Sequence, residues 1–184
     1  MDKSQISQKL LGVFVSRGYD GATLTHLSQA TGLSKASLYH HFPRGKPEMA
    51  AHLVRHAIAE LQRLAFGQLD PAQPAARAIV KFIKGYQAYT NDGRSDCVLA
   101  VFAHHGTASA DIAELQGQIS AQFADWQERL ASTMERDGHK RKKAKREAQD
   151  LLGAIYGSLM LAKLHNDPDM FVSGMQRLMA RYAD

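Results

Sequence analysis

The stretch GLSKASLYHHFPRGKPEMA, residues 32–50, places a short helix-forming run directly before an abrupt stop. Ser34 stands where a helix N-cap belongs. Phe42 and Pro43 end the helix, because the residue before a proline is pushed out of the helical region. The sequence therefore predicts a helix of about two turns over KASLYHH. Its aromatic rings, imidazoles and cations leave three hypotheses open, namely a metal site, a catalytic histidine and a helix that binds nucleic acid.

The residues on either side complete a small helical unit. Upstream, LTHLSQAT predicts a second short helix with Thr23 as its N-cap and Gly32 as its stop. A first helix with an apolar stripe ends near Gly18, and a long fourth helix begins around Lys46 and Pro47. Since Gly-Leu-Ser joins the second helix to the third, this segment is typical of a helix-turn-helix.

In a helix-turn-helix the second helix of the pair lies in the major groove of DNA, and its first residues reach base edges. Lys35 suits guanine, Ala36 a thymine methyl group, and Ser37 either base type. Other side chains of this stretch carry O–H or N–H donors that suit phosphate. These phosphate candidates are Tyr39, His40, His41 and Lys46.

Composition and charge support a polyanion partner at the N-terminal end. The chain has 184 residues, of which 45% are hydrophobic and 22% charged, enough to bury a core in one or two domains. Residues 1–56 hold seven Lys and Arg against three acids, so most of the net charge of +5 lies there. A single cysteine, the absence of a membrane-spanning run and the absence of a signal peptide predict a cytoplasmic protein.

Helical periodicity continues to the end of the chain, and alternation typical of strands is almost absent. We therefore predict an all-α protein of about nine helices. Residues 1–50 are expected to form the helix-turn-helix domain, and residues 51–184 a second helical domain.

Residues 18–49, GYDGATLTHLSQATGLSKASLYHHFPRGKPEM, resemble the DNA-binding domain of TetR/AcrR-family transcriptional regulators. The resemblance implies that His40 lies along the groove with the three base-reading residues, and that Thr23 joins the phosphate contacts. Two features depart from the family pattern. His26 stands where the family usually has a carboxylate, which predicts the loss of a capping box. PRGKPE is one glycine longer than the common form and resembles the LmrA/YxaF branch.

The resemblance also implies a C-terminal domain that binds an effector and dimerises through its last two helices, here about residues 147–166 and 168–182. A homodimer would read a roughly palindromic operator in double-stranded DNA. Small and apolar residues recur in these helices at helical spacing. The interface candidates are Gly153, Ala154, Gly157, Leu161, Leu164, Phe171, Met175 and Leu178.

The leading hypothesis is a ligand-responsive repressor that a small molecule releases from its operator, with the fourth helix coupling the two domains. Few acids fall on inward faces, which favours a neutral or weakly polar effector. Aromatic and methionine residues are candidates for its pocket. They are Phe82, Tyr86, Phe102, Phe123, Trp126, Tyr156 and Met160.

Other histidines and the cysteine leave weaker alternatives. Adjacent His40 and His41 point about 100° apart on a helix, and His52 and His56 lack a third ligand, so neither a metal nor a cofactor is predicted. Cys97 is either a packed residue or a redox sensor near His104 and His105.

The basic run HKRKKAKR, residues 139–146, is either a solvated loop with a first helical turn or a second nucleic-acid patch. A small helical enzyme and a protein-interaction adaptor remain the alternatives to the DNA-binding regulator. The spacing supplies no third group to orient a nucleophile and a base, which counts against the enzyme.

Overall fold

The computed structural model describes residues 3–103 and 110–183, and within these ranges every regular element is helical. The described part holds nine α-helices and one short 3₁₀ helix, which confirms the all-α prediction. The helices are α1 Lys3–Gly21, α2 Leu24–Thr31, α3 Lys35–His41, α4 Lys46–Leu64, the 3₁₀ helix Phe66–Gln68, α5 Ala75–Tyr89, α6 Val98–Ala103, α7 Ala110–Arg136, α8 Arg141–His165 and α9 Pro168–Ala180.

Local signals set the bounds of the helix-turn-helix. The Ser34 hydroxyl accepts the backbone N–H of Ser37 at 3.1 Å and caps α3. Gly32 takes a left-handed φ of 72° and ends α2, as its position in the sequence predicts. α1 is interrupted at Gly18, which has a φ of 68°, and resumes for one further turn. The predicted caps and stops of α2 and α3 are therefore confirmed.

The predicted loss of the α2 capping box is wrong, because His26 supplies it. Thr23 Oγ1 accepts the His26 N–H at 3.2 Å, and His26 Nδ1 lies 3.4 Å from the Thr23 backbone N. An imidazole nitrogen with a free lone pair accepts this N–H as a carboxylate would. The same Nδ1 lies 3.0 Å from the Gly21 carbonyl oxygen, a contact that requires a proton on Nδ1. Which of the two contacts is a hydrogen bond therefore depends on the tautomer of the ring.

Contacts divide the chain into two compact units. Unit 1 comprises Met1–Ile58 and Cys97–Ser120, and unit 2 comprises Ala59–Asp96 and Ala121–Asp184. In unit 1 the α6 segment joins the helix-turn-helix, where Phe102 meets Phe14 edge-on at 5.2 Å between ring centroids. The domain boundary at residue 50 remains a prediction, since the second segment of unit 1 comes from far beyond it.

Unit 2 is built around an aromatic core and the packing of α9 against α5 and α8. Phe66 stacks face to face on Trp126, with ring centroids 4.2 Å apart. Phe171 and Met175 of α9 are fully buried in the same unit. Burial of such large apolar side chains supplies most of the stability of this unit.

The basic run is helical for most of its length, because α8 begins at Arg141. The expected solvated loop and first turn are present, but the helix begins at Arg141, earlier than the predicted residue 147. Glutamates of α7 and of α8 itself offset the repulsion between its cations. The ion pairs join Arg141 to Glu128 and Glu135, Lys145 to Glu128, and Lys143 and His139 to Glu147.

Across residues 3–103 and 110–183, no helix has both the length and the apolar character needed to cross a bilayer.

Candidate nucleic-acid interface

α3 presents four exposed side chains on one arc. Lys35, Ala36, Tyr39 and His40 are all exposed, and their positions span about 140° of the helix circumference. On the other side Leu38 is fully buried and holds the helix to the core of unit 1. The apolar anchor therefore turns this arc of α3 to solvent.

Ser37 and His41 flank this arc. Ser37 is half-buried, its N–H donates to the Ser34 hydroxyl that caps the helix, and its Oγ accepts a hydrogen bond from the same hydroxyl at 3.0 Å. His41 is exposed but lies about 100° beyond His40 around the helix. The structure thus brings four of the predicted residues together and leaves these two at the margins.

Tyr39 rests on Gly45, the extra glycine of the PRGKPE segment. Gly45 has a φ of 68°, and a Cβ built there would lie 3.2 Å from Tyr39 Cε1. Its N–H donates to the Phe42 carbonyl at 2.8 Å, and its own carbonyl accepts the Met49 N–H at 3.1 Å. The glycine therefore closes the turn into α4 and provides the surface on which the tyrosine ring packs.

The Lys46 ammonium group makes two contacts within the protein. Its Nζ donates to the Tyr19 carbonyl oxygen at 2.9 Å and lies 4.4 Å from the centroid of the Tyr19 ring. These contacts tie the start of α4 to the end of α1. A phosphate contact by this ammonium must share it with Tyr19 or replace that bond.

Arg44 is an exposed cation that sequence reasoning overlooked. Its backbone N–H donates to the Glu48 carboxylate at 2.9 Å, which orders the turn between α3 and α4. The run RGK, residues 44–46, contains this cation, but only Lys46 was predicted to contact DNA.

The histidine pairs do not form a metal site. The rings of His40 and His41 lie 5.8 Å apart at 71°, and those of His52 and His56 lie 6.5 Å apart. His52 Nε2 lies 3.1 Å from the Ser7 hydroxyl, so this histidine takes part in packing α1 against α4. Within the described ranges, no three His, Cys, Asp or Glu side chains come close enough to hold a metal ion.

Five of the seven effector candidates lie together in unit 2. Their rings meet in a chain of contacts with centroid separations of 5.6 to 6.4 Å, which joins Trp126, Phe123, Tyr156, Tyr86 and Phe82. Phe66, which sequence reasoning missed, stacks on Trp126 from the 3₁₀ helix. The other two candidates lie apart from this chain of rings, since Phe102 belongs to unit 1 and Met160 is 54% exposed.

Trp126 carries a polar group without a partner inside this aromatic cluster. The residue is fully buried, and its indole Nε1 has no hydrogen-bond acceptor among the described residues. A buried donor left unsatisfied costs about 1–3 kcal/mol.

The dimer candidates divide into two groups. Leu161 is 48% exposed and Leu164 is 73% exposed, and Gly153 and Gly157 are exposed on the same helix, with Ala154 half-buried. By contrast Phe171, Met175 and Leu178 are buried in the core of their own protomer. The interface assignment of all eight residues stays a prediction, and the exposed group on α8 is the part of it that a second chain could reach.

Cys97 is buried, just before α6. This placement favours packing over reaction with a solute. The neighbouring His104 and His105 lie outside the described residues.

Comparisons with known proteins agree along both units. Residues 10–53 match the tetR family of bacterial regulatory proteins, and residues 73–174 match the C-terminal domain of LmrA/YxaF-like transcriptional regulators. A relative in Bacillus subtilis (strain 168), the uncharacterized HTH-type transcriptional regulator YxaF, is 24% identical over 155 residues, which cover 84% of this chain and 81% of that protein.

Solved structures share the fold at low sequence identity. A TetR transcriptional regulator from Legionella pneumophila has a TM-score of 0.78 at 18% identity and covers 98% of this chain and 97% of its own. A putative fatty acid metabolism regulator from Clostridium perfringens has a TM-score of 0.78 at 12% identity, with coverages of 97% and 96%. AibR in complex with isovaleryl coenzyme A and operator DNA has a TM-score of 0.65 at 17% identity, with coverages of 81% and 80%.

This family consists of transcriptional regulators, so the enzyme and adaptor alternatives are not favoured. The C-terminal match alone spans more than half of the chain, and the N-terminal match covers the helix-turn-helix. The protein belongs to the TetR family of bacterial transcriptional regulators, with a C-terminal domain of the LmrA/YxaF-like type.

Proposed function

We propose that this regulator is a homodimeric repressor that binds a palindromic operator through α3 and leaves it when a small molecule binds the aromatic cluster of unit 2. The observation that supports it most is the exposed arc of Lys35, Ala36, Tyr39 and His40 on a capped and anchored helix. Repression would follow from occupation of promoter DNA in the cytoplasm of the bacterium.

The residues of this arc would make two kinds of contact with DNA, to base edges and to phosphates. Lys35 and Ala36 lie in the first turn of α3, the part of a recognition helix that reaches base edges, with Ser37 beside them. Lys35 suits guanine O6 and N7, and the Ala36 methyl group suits thymine. His40 extends this arc along the groove.

Phosphate contacts surround the base-reading residues. The Tyr39 hydroxyl, on a ring that is 45% exposed, is positioned by its packing on Gly45. Thr23 and His41 add exposed donors at the starts and ends of neighbouring helices. Lys46 would contribute only by sharing the bond that it makes with the Tyr19 carbonyl.

Unit 2 offers the effector site. The Trp126 indole contacts the rings of Phe66 and Phe123 in a cluster of six aromatic residues, and its buried N–H lacks an acceptor among the described residues. A neutral or weakly polar molecule with one acceptor atom would stack on these rings and satisfy that donor. AibR, similar in fold, has been solved with both isovaleryl coenzyme A and operator DNA, which supports the same general logic here.

The exposed face of α8 offers the dimer contact. Leu161 and Leu164 expose large apolar surface, and Gly153 and Gly157 carry no side chain that would keep a second helix at a distance. A second copy of the chain, using the same face, would cover these residues around a two-fold axis.

α4 is a candidate for the coupling element, since it contributes residues to both units. An effector releases DNA only to the extent that it prefers the conformation with the lower DNA affinity. The aromatic cluster therefore has to differ between the two conformations.

Selection of bound DNA fragments from a random pool tests the DNA-binding part. We expect an approximately palindromic sequence and an affinity that falls with salt, with a log-log slope of about −0.9 per phosphate neutralised. Lys35→Ala should relax base preference, whereas Tyr39→Ala should weaken binding to all sequences alike. Equal effects of the two variants on every sequence would contradict this division of roles.

Trp126→Phe tests the effector part, because it keeps an aromatic ring and removes only the indole donor. We expect the variant to bind operator as before and to need a higher effector concentration for release, by about tenfold. Met160→Leu, at an exposed position outside the cluster, serves as the control. Unchanged release by Trp126→Phe would remove the support that the indole N–H gives to this site.

A further inference from the structure

Unit 1 contains a small cleft that none of the four residues of the exposed α3 arc lines. Its volume is about 110 Å³. One wall comes from Arg44 in the turn before α4 and from a four-residue repeat along α4, Pro47, Ala51 and Arg55. The opposite wall comes from α7, where Glu114 and Gln118 lie one turn apart.

The two arginines of this cleft have no counterion among the described residues. Neither the Arg44 nor the Arg55 guanidinium makes an ion pair or a hydrogen bond with any described residue, although both border Glu114 in the same cleft. Two arginines of unit 2 do have side-chain partners. Arg129 donates to Gln62 and to the Phe66 carbonyl, and Arg141 pairs with two glutamates. The cleft is therefore lined by two guanidinium groups whose N–H donors have no partner among the described residues.

Such a pair is suited to an oxyanion. A guanidinium donates two parallel N–H bonds to carboxylate or phosphate oxygens, and these charge-assisted bonds are about twice as strong as neutral ones. The cleft volume of about 110 Å³ is well below the roughly 300–1,000 Å³ of pockets that bind drug-sized ligands. The ligand is therefore a small anion.

The Glu114 carboxylate restricts which small anions can bind in the cleft. Its carboxylate accepts a weak hydrogen bond from Gln118 Nε2 at 3.4 Å and has remaining lone pairs for another donor. It repels an anion that has no proton, and it accepts a hydrogen bond from an anion that has one. Inorganic phosphate keeps at least one P–O–H group at neutral pH, whereas sulfate and the phosphodiester of DNA have none.

We propose that this cleft binds inorganic phosphate, or an equally small oxyanion with its own hydrogen-bond donor, between Arg44, Arg55 and Glu114. The two guanidiniums bind the anionic oxygens, and Glu114 accepts the hydrogen bond of the protonated oxygen. Binding ties the turn after α3 to α4 and does not depend on operator binding or on the effector site.

Isothermal titration calorimetry of the full chain with inorganic phosphate, without DNA and at constant ionic strength, tests the site. We expect one phosphate per chain. Arg55→Ala and Arg44→Ala should each weaken phosphate binding about tenfold or more. Arg55→Lys should weaken it as well, because an ammonium keeps the charge and loses the fork. Arg17→Ala, at an exposed arginine of α1 outside the cleft, is the matched control and should bind as the wild type does.

The preference of the cleft for phosphate over sulfate tests the role of Glu114. The wild-type chain should prefer phosphate to sulfate about tenfold, and Glu114→Gln should bring that ratio close to one by removing the repulsion of sulfate. Circular dichroism of each variant checks that it is folded.

Three results would refute the proposal. Equal binding of phosphate and sulfate by the wild-type chain would show that the P–O–H group of phosphate does not contribute to binding. An equal loss in Arg17→Ala would indicate diffuse attraction to a basic unit. Binding of dimethyl phosphate as tight as that of phosphate would make the cleft a contact for the DNA backbone instead.

Discussion

Gly45→Ala gives the sharpest test of how the recognition helix is held. Gly45 has a φ of 68°, and an added Cβ would lie 3.2 Å from Tyr39 Cε1. Gly45→Ala should therefore destabilise the native structure in two ways. The left-handed backbone is strained for any residue with a Cβ, and the tyrosine ring has to shift by a few tenths of an ångström.

Gly32→Ala should show the backbone strain without the displacement of a neighbouring side chain. Gly32 has nearly the same φ, 72°, but a Cβ there meets nothing within 4 Å. A left-handed non-glycine residue costs about 1–2 kcal/mol, so both variants should lose that much stability. For a chain of this length, each kcal/mol lowers Tm by about 2–4 °C.

DNA affinity should distinguish the variants, because only Gly45→Ala displaces Tyr39. A neutral hydrogen bond contributes about 0.5–1.5 kcal/mol, which corresponds to about a twofold to tenfold loss of affinity. We expect this loss for Gly45→Ala on all DNA sequences alike and little loss for Gly32→Ala. Thermal unfolding measures the stability part, and fluorescence anisotropy with a selected operator and a random duplex measures the affinity part.

Tyr39→Phe completes the comparison, since it removes the same hydroxyl without moving the backbone. Combined with Gly45→Ala, it should cause little further loss, because the displaced hydroxyl has already lost its phosphate. Equal affinity losses for the two glycine variants would refute the reasoning, and so would full additivity with Tyr39→Phe.

Three further predictions concern other contacts. His26→Ala should lower the free energy of unfolding by about 0.5–1 kcal/mol in urea denaturation, and His26→Gln should retain the cap, since glutamine is a common partner in this motif; equal losses would contradict the capping role. Leu164→Glu should change secondary structure little and yield monomers in analytical ultracentrifugation, since the side chain is 73% exposed, and a dimer that persists at micromolar concentration would refute the interface. Burial raises the pKa of the Tyr182 hydroxyl, while nearby Arg181 lowers it, so the stabilising contribution is present below the unfolded-state value of 10.0 and is lost as pH rises through the folded-state pKa. Tyr182→Phe should therefore flatten the decline of stability above that pH, and an unchanged decline would contradict the assignment.

The helix-turn-helix was predictable in detail because its signals are local. Ser34, Thr23 and Gly32 cap or end their helices through bonds to residues within four or five positions. Such signals appear in the sequence itself, and the family resemblance rests on the same residues. The role of His26 was missed because the expected partner in a capping box is a carboxylate or an amide, although an imidazole nitrogen also accepts a hydrogen bond.

Contacts between distant residues escaped prediction. Lys46 looked like a free cation beside the DNA-binding helix, yet its ammonium binds a carbonyl 27 positions earlier. Phe102 looked like part of an effector pocket, yet it packs on Phe14 in the other unit. The basic run looked like a loop, because the glutamates of α7 that pair with it are visible as partners only once α7 and α8 lie together.

The sequence by itself determined the helical class, the caps and turns of the helix-turn-helix, and the family, because these depend on periodicity and on bonds between near neighbours. Tertiary structure alone decided which apolar residues of α8 and α9 face the core and which face solvent, where Phe66 joins the aromatic cluster, and how Gly45 supports Tyr39. The physical reason is that burial and polar pairing depend on the elements brought alongside. Leu164 and Phe171 are similarly apolar, and only packing leaves the first exposed and the second enclosed.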